Sequence, residues 1–381
     1  NEYLLRNDVG QYEPLYRACF AAFPRIGQAA YCHWKVAFRA YLENRKEAAD
    51  LLREQVRDYP ESEAASAAMY YLGRMAERAG AHSDARAWYD HLQRSFPNYY
   101  YGILARDRRE QPAIAHASAS PAVAAFLRPI RFPGKPLPAS FDPPPAARAR
   151  IDRSRLLRAA ALDELAELEL RFAAKSSDRP EIFGLELARS ASARQAPDRA
   201  IRYLKRYAPG YLYSPVASAP REFWKLAFPL PWRQPLFQYS QQAGLDPYMV
   251  AALIRQESEF DPRAISGANA YGLTQILPST GRELSRRLRV RGFTPSMLFR
   301  PEFNLRLGAQ YLKTQLSGFD GRWEPTLAAY NAGKTRAVEW LNRAEYREPA
   351  EYVESIPYTE TRNYVQVVMR NADLYRRVYK D

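Results

Sequence analysis

From residue 117 onward the chain contains neither histidine nor cysteine. Its four His (His33, His82, His91, His116) and two Cys (Cys19, Cys32) all fall in the first third. Cys-His and Ser-His-Asp catalysis and ordinary zinc sites are thereby excluded from the C-terminal two thirds, where chemistry must rest on carboxylates, Tyr, Lys or Arg. Neither Cys has metal-site spacing with the His residues. No apolar run approaches membrane-spanning length. A phosphate-binding loop is also missing: Gly267 and Gly272 have the four-residue gap, but Leu273 and Thr274 follow where Lys and Ser/Thr are required. There is no dinucleotide-binding glycine run either.

What is present suits a large globular chain. A length of 381 residues with 47% hydrophobic content supports an extensive core and about two or three domains. The net charge of +14 is carried by 47 Arg and only 9 Lys, so the surface attracts polyanions such as nucleic acid, anionic lipid or an acidic wall polymer. Twenty-seven Tyr within 13% aromatics imply many buried or presented amphipathic rings. Cys19 and Cys32 flank a helix-turn-helix corner at residues 23 to 27, where either a disulfide suited to an oxidising envelope or a pair of buried thiols fits. The chain starts at Asn1 with no basic-then-apolar leader, so the expectation is a processed or trimmed chain whose location follows from its function.

Residues 1 to 110 read as helices. Ala48 and Pro60 in KEAADLLREQVRDYP match Ala85 and Pro97 in SDARAWYDHLQRSFP at an offset of 37, each an amphipathic helix closed by an aromatic-Pro stop. Helical hairpins that stack on their neighbours leave this pattern, although two ordinary helices of similar composition would also produce it. Residues 111 to 150 are rich in Ala, Pro and Ser and read as an extended segment or loop. The expected organisation is an α-superhelical region over 1–220, a linker at 221–235 and a last domain over 236–381 with little strand signal.

Within that last domain Asp246 and Pro247 open a helix and Asp261-Pro262 closes it. Met249, Val250, Leu253 and Ile254 form an apolar stripe that Glu257 continues, whereas Glu259 points about 200° away. A carboxylate on an apolar face has its pKa raised and can stay protonated, as a general acid for a glycosidic oxygen requires. A stripe-edge Glu paired with Arg282 is the plain structural alternative.

The text that follows Glu257 carries more. ESEFDPRAISGANAYGLTQILPST (257 to 280), AYNAG (329 to 333) and VESIPYTETRNYVQVV (353 to 368) resemble, in order and spacing, the catalytic domain of the soluble lytic transglycosylases of bacterial cell walls. PEFNLRLGAQYL (301 to 312) is similar too, and the resemblance extends more weakly to MYYLGRMAERAG, YYYGILA and FWKLAFPLPW upstream. It implies a mainly α protein: an α-superhelix of helical hairpins followed by a lysozyme-like α+β catalytic domain with a small hairpin.

The same resemblance places the sole catalytic acid and base on Glu257, and substrate-binding roles on Ser266, Gln275, Tyr330 and Glu360. Ser266 and Gln275 can hydrogen-bond an N-acetyl group, and the Tyr330 hydroxyl can support Glu257 or a developing oxocarbenium charge. Each also has a structural alternative: Ser266 as a turn cap, Tyr330 as core, Glu360 in an ion pair with Arg362. Ser258 reads as helix-end structure and Asn331 as a turn residue before Gly333. Thr274 and Leu277 stand where the family usually has Met, which alters the apolar wall facing sugar. Asn269 replaces a common Gly, as Asn can where the backbone is left-handed.

The implied function is a peptidoglycan lytic transglycosylase that cleaves the β-1,4 bond between N-acetylmuramic acid and N-acetylglucosamine and leaves 1,6-anhydromuramic ends. No cofactor or metal is implied. Expected partners are peptidoglycan glycan strands and cell-wall synthesis or division proteins, with no nucleic acid, for a monomer in the periplasm or cell envelope. The rivals are a goose-type hydrolytic lysozyme, which shares the domain and the Glu, and a non-catalytic adaptor that binds wall or protein.

Overall fold

The computed structural model describes residues 2–380 and, among them, holds 22 α-helices, three short 3₁₀ helices and no strand. The mainly α expectation is met. The small hairpin is reduced to isolated bridges, Ile265 with Tyr271 and Tyr271 with Ile276, because left-handed backbone at Gly272 (φ 74°) and Gln275 (φ 50°) turns the chain before a ladder can extend. No helix among the described residues is long and apolar enough to cross a membrane.

The chain divides into two compact units, one comprising Asn1–Lys135 with Thr335–Gln366 and the other Pro136–Lys334 with Val367–Asp381. In the first, the helices Gly27–Leu42, Ala48–Asp58, Ala64–Arg78, His82–Ser95 and Tyr100–Arg109 follow one another as hairpins. The offset of 37 has a structural counterpart. Ala48 and Ala85 are fully buried, and their helices stop at Tyr59 (φ −130°, ψ 50°) and Phe96 (φ −138°, ψ 48°), each followed by Pro. Phe23 before Pro24 ends the earlier helix with the same geometry (φ −133°, ψ 58°). Proline's ring bars the preceding residue from helical backbone, so the stop is written in the dipeptide.

The abundant tyrosines of this unit surround a row of acids. Glu348, Glu351 and Glu354 recur every three residues. Glu348 accepts from Tyr70 (3.1 Å) and Arg74 (2.9 Å), and Glu351 from Tyr41 (3.0 Å) and Arg347 (2.8 Å). Glu354 accepts from Trp34 (2.9 Å), Tyr101 (2.8 Å) and Gln366 (2.8 Å). A buried carboxylate needs such donors. Burial first, then the Glu348 and Glu354 charges, push the Tyr70 and Tyr101 phenols well above their ordinary range, so both remain donors. Cys19 and Cys32 are free thiols; burial and a hydrogen bond with Cys19 push Cys32 up to about 12.

Between 111 and 150 the chain is less extended than its composition suggests. Pro112–Ala115, Pro121–Leu127 and Pro145–Ala159 are helical, each opened by a proline in its first turn, where the missing N–H costs nothing.

In the second unit the helices Pro145–Ala159, Asp163–Ser176, Pro180–Ala193 and Pro197–Tyr207 pack around Ile151, Leu170, Phe183 and Leu187. The aromatic stretch 221–235, read as a linker, is packed into this unit: Arg221–Ala227 is a helix, and Phe223, Trp224 and Phe228 are buried. Tyr375 and Tyr379 donate to the carbonyls of Pro229 and Phe228, both at 3.0 Å. The helices Arg233–Gln242, Pro247–Glu257, Pro278–Arg287, Pro301–Ser317 and Trp323–Ala332 complete the frame around the candidate site.

Candidate active site

The helix Pro247–Glu257 begins as the sequence implies: the Asp246 carboxylate accepts the Tyr248 N–H at 2.9 Å, with Pro247 in the first turn. Met249 through Arg255 are buried, so this is a rigid core element. Arg255 is held inside it, donating to the Ala227 carbonyl at 2.9 Å with its guanidinium 4.3 Å above the Phe228 ring. Glu257, half-buried, is the last helical residue.

Ser258 does helix-end work. Its N–H donates to the Ile254 carbonyl (3.0 Å) and its hydroxyl to the Leu273 carbonyl (2.8 Å), tying the helix end to the loop 264–276. Glu259 and Phe260 then adopt left-handed backbone (φ 52° and 66°). This reversal carries Glu259 to Lys205 (2.7 Å) and Arg202 (3.4 Å), whose charges it offsets. Asp261 accepts the Arg263 N–H at 2.9 Å, an Asx turn.

In the loop, the Ser266 hydroxyl accepts the Ala270 N–H (3.1 Å), and Asn269 is left-handed (φ 63°), as its place in the motif predicts. Ser266 thus caps a turn while its own proton stays available. Gln275 donates to the carbonyls of Gly272 (2.8 Å) and Ala264 (3.2 Å), which uses its N–H groups locally and leaves its side-chain oxygen as an acceptor. Tyr330, on Trp323–Ala332, donates to the Thr274 carbonyl at 2.7 Å and packs on Tyr311. Burial first, then the neighbouring Glu257 charge, push its phenol well above its ordinary range. The acid and this ring therefore share one electrostatic environment. Thr274 is buried and turned to the interior, whereas Leu277 is exposed.

Glu360 lies in the other unit. It is exposed in the first turn of Thr359–Tyr379, and Arg362 approaches Glu354 (3.8 Å) rather than Glu360. Glu257, Ser266, Gln275 and Tyr330 all belong to the second unit.

One residue that the motifs did not single out organises the site. Asn304 is completely buried. Its oxygen accepts the Thr274 N–H (2.9 Å) and hydroxyl (2.6 Å), and its nitrogen donates to the carbonyls of Tyr271 (3.0 Å) and Leu298 (2.8 Å). A Cβ at Gly308, one turn further along the same helix, would collide with Thr274. Asn304 thus fixes Thr274, Thr274 fixes Tyr330, and Tyr330 stands beside Glu257. The signal was available: Asn304 is a polar residue in register with the buried Gly308 and Leu312.

Residues 234–353 match the family model described as Transglycosylase SLT domain, which gives the class of domain around Glu257. A soluble lytic murein transglycosylase of Escherichia coli K12 is 30% identical over 151 residues, 39% of this chain and 23% of that protein. An endo-type membrane-bound lytic murein transglycosylase A of Salmonella paratyphi B is 44% identical over 77 residues, 20% of this chain and 38% of that protein. Among solved structures, the lytic transglycosylase Slt of Pseudomonas aeruginosa is similar with TM-score 0.70 and 26% identity, over 96% of this chain and 54% of that one. The 70 kDa soluble lytic transglycosylase of E. coli shares the fold (TM-score 0.59, 22% identity; 99% of this chain and 61% of that one). The chain thus matches about a quarter of the length of the E. coli K12 relative and little more than half of the solved chains. Residues 234–353 thus match a Transglycosylase SLT domain, and the chain is similar in sequence and fold to part of the soluble lytic transglycosylases.

Proposed function

We propose that this protein is a peptidoglycan lytic transglycosylase in the cell envelope, with Glu257 as its single acid and base. The observation that carries this reading is the placement of Glu257 at the end of a buried helix beside Tyr330, whose hydroxyl is anchored on Thr274 in the loop that bears Ser266 and Gln275. Glu257 protonates the glycosidic oxygen between N-acetylmuramic acid and N-acetylglucosamine, and the C–O bond breaks toward the leaving sugar. The substrate's own N-acetyl carbonyl stabilises the cationic carbon. Glu257, now a carboxylate, takes the proton of the muramic 6-hydroxyl as that oxygen closes on the anomeric carbon, so no water is consumed.

Gln275 offers an acceptor for an N-acetyl N–H, and the free Ser266 proton a donor for a sugar oxygen. Glu360 is assigned to substrate binding by its motif. The glycan, with its carboxylate-bearing stems, also suits the +14 charge.

Digestion of purified peptidoglycan with product mass analysis tests the proposal. The expected product carries a 1,6-anhydro ring, lighter by one water than the hydrolytic product; chiefly reducing-end muramic acid would point to a hydrolytic lysozyme, and no cleavage to a binding protein. Glu257→Gln keeps size and hydrogen bonding but lacks the transferable proton, so turnover should fall by more than the ~10²–10⁴ typical of one acid-base group. Substantial residual turnover by that variant would overturn the assignment.

A further inference from the structure

The first unit holds a concave feature remote in sequence from the motifs around Glu257 and Tyr330. Helix His82–Ser95, helix Pro121–Leu127 and the segment after it line an open cavity of about 430 Å³, within the range of ligand sites. Alanines at 87, 119 and 124 open the space, and its polar wall is made by Asp90, His91, Arg94, Arg128 and Arg131.

The charges of this wall are unbalanced. Arginines nearby in the same unit are consumed by acids: Arg86 by Asp90 (2.9 Å), Arg106 by Asp107 (3.0 Å), Arg108 by Glu77, Arg109 by Asp90. The guanidinium groups of Arg94, Arg128 and Arg131 have no hydrogen-bond or ion-pair partner among the described residues. The one acid on the wall, Asp90, is already shared between Arg86 and Arg109. Burial and the Arg94 charge hold the His91 imidazole down at about 4, so it is neutral near pH 7 and offsets nothing. Three guanidiniums, each a planar fork matched to carboxylate oxygens, therefore face one concavity without counter-charge.

We propose that this cavity is an anion-binding exosite that takes the free carboxylates of an acidic peptide, namely the peptide stems of the wall substrate. The choice of peptide rests on the proposed function; the anion site itself does not. A concavity fits a projecting peptide end better than a membrane surface, which asks for a flat or convex face. The Asp90 carboxylate on the wall disfavours a compact dianion such as phosphate more than carboxylates spaced along a peptide.

The test is calorimetric titration of the full chain at low salt with acetyl-Glu-Glu, which carries three carboxylates, run in parallel with inorganic phosphate and with phosphatidylglycerol vesicles. Binding requires no turnover, so failure of the catalytic assignment leaves this readout intact. The expected result is saturable peptide binding that weakens at least about tenfold in R128Q/R131Q, two exposed positions whose replacement should leave circular dichroism unchanged. Bound peptide should also raise the His91 pKa seen by NMR in the parent chain and leave it unmoved in the double variant. Equal peptide affinity in both proteins, or a silent His91, would overturn the site. Tighter binding of phosphate, or vesicle binding that depends on these arginines without peptide binding, would overturn the peptide assignment.

Discussion

Replacing Asn304 tests the positioning chain that runs from the core to Glu257. In Asn304→Ala the Thr274 N–H and the Leu298 carbonyl lose their side-chain partner in a fully buried setting, while the Tyr271 carbonyl keeps the Ile276 N–H at 3.2 Å. Two orphaned backbone groups at about 1–3 kcal/mol each, with two further hydrogen bonds lost at about 0.5–1.5 kcal/mol each, give a destabilisation of about 3–5 kcal/mol after partial relaxation. Hydrogen exchange read by mass spectrometry should show residues 270–276 losing protection, and turnover below the melting range should fall on the order of tenfold to a hundredfold because the Tyr330 anchor moves.

Asn304→Asp sharpens the test. The introduced carboxyl still accepts from Thr274, but it can donate to one of the Tyr271 and Leu298 carbonyls only when protonated, so its folded pKa is raised above its unfolded value. The stability of that variant is then fullest below the unfolded pKa and is lost as pH rises through the folded one. An Asn304→Ala chain less than about 1 kcal/mol weaker, with the 270–276 amides still protected, would refute the reasoning.

Much of the site was legible because its signals are local. Asp246-Pro247, the stripe from Met249 to Ile254 and the motif at Glu257 lie within a dozen consecutive residues, and helical phasing alone separates Glu257 from Glu259. The Pro-terminated helices are local too, since Pro60 and Pro97 act on the residue just before them. What stayed hidden is long-range. Asn304 meets Thr274 from 30 positions away. Thr274, which by its motif position should have faced sugar, is turned inward by that bond. Glu354 belongs to the motif that supplied Glu360, yet its hydrogen bonds go to Trp34 and Tyr101 more than 250 residues earlier in the chain. Aromatic density at 221–235 suggested a junction, but buried rings at Phe223, Trp224 and Phe228 make core, and composition alone does not distinguish the two.

Three further outcomes follow from particular contacts. Tyr330→Phe removes the proton donated to the Thr274 carbonyl and should lower kcat about tenfold with a melting shift of a few degrees; an unchanged kcat would show that the hydroxyl does not position the site. Lys35, fully enclosed near Arg362, is held at about 7 by burial first, against about 10.5 in the unfolded chain, so its contribution to stability is lost as pH falls from about 10 toward 7. Lys35→Met should therefore be more stable than the parent by up to about 4–5 kcal/mol at pH 6, a gain that shrinks toward pH 10 in thermal unfolding; a pH-independent difference would contradict the buried charge. The last outcome rests on carboxylate supply. A hydrolase needs a second acid as nucleophile or water base about 5–9.5 Å from the first. Near Glu257 the chain offers Glu259, bound to Lys205 and Arg202, and Asp261, bound to the Arg263 N–H. An amide oxygen accepts that N–H as well as a carboxylate does, so Asp261→Asn should keep the turn and most of the activity on purified peptidoglycan, whereas a folded but inactive Asp261→Asn would show that a second carboxylate is required and would favour hydrolysis.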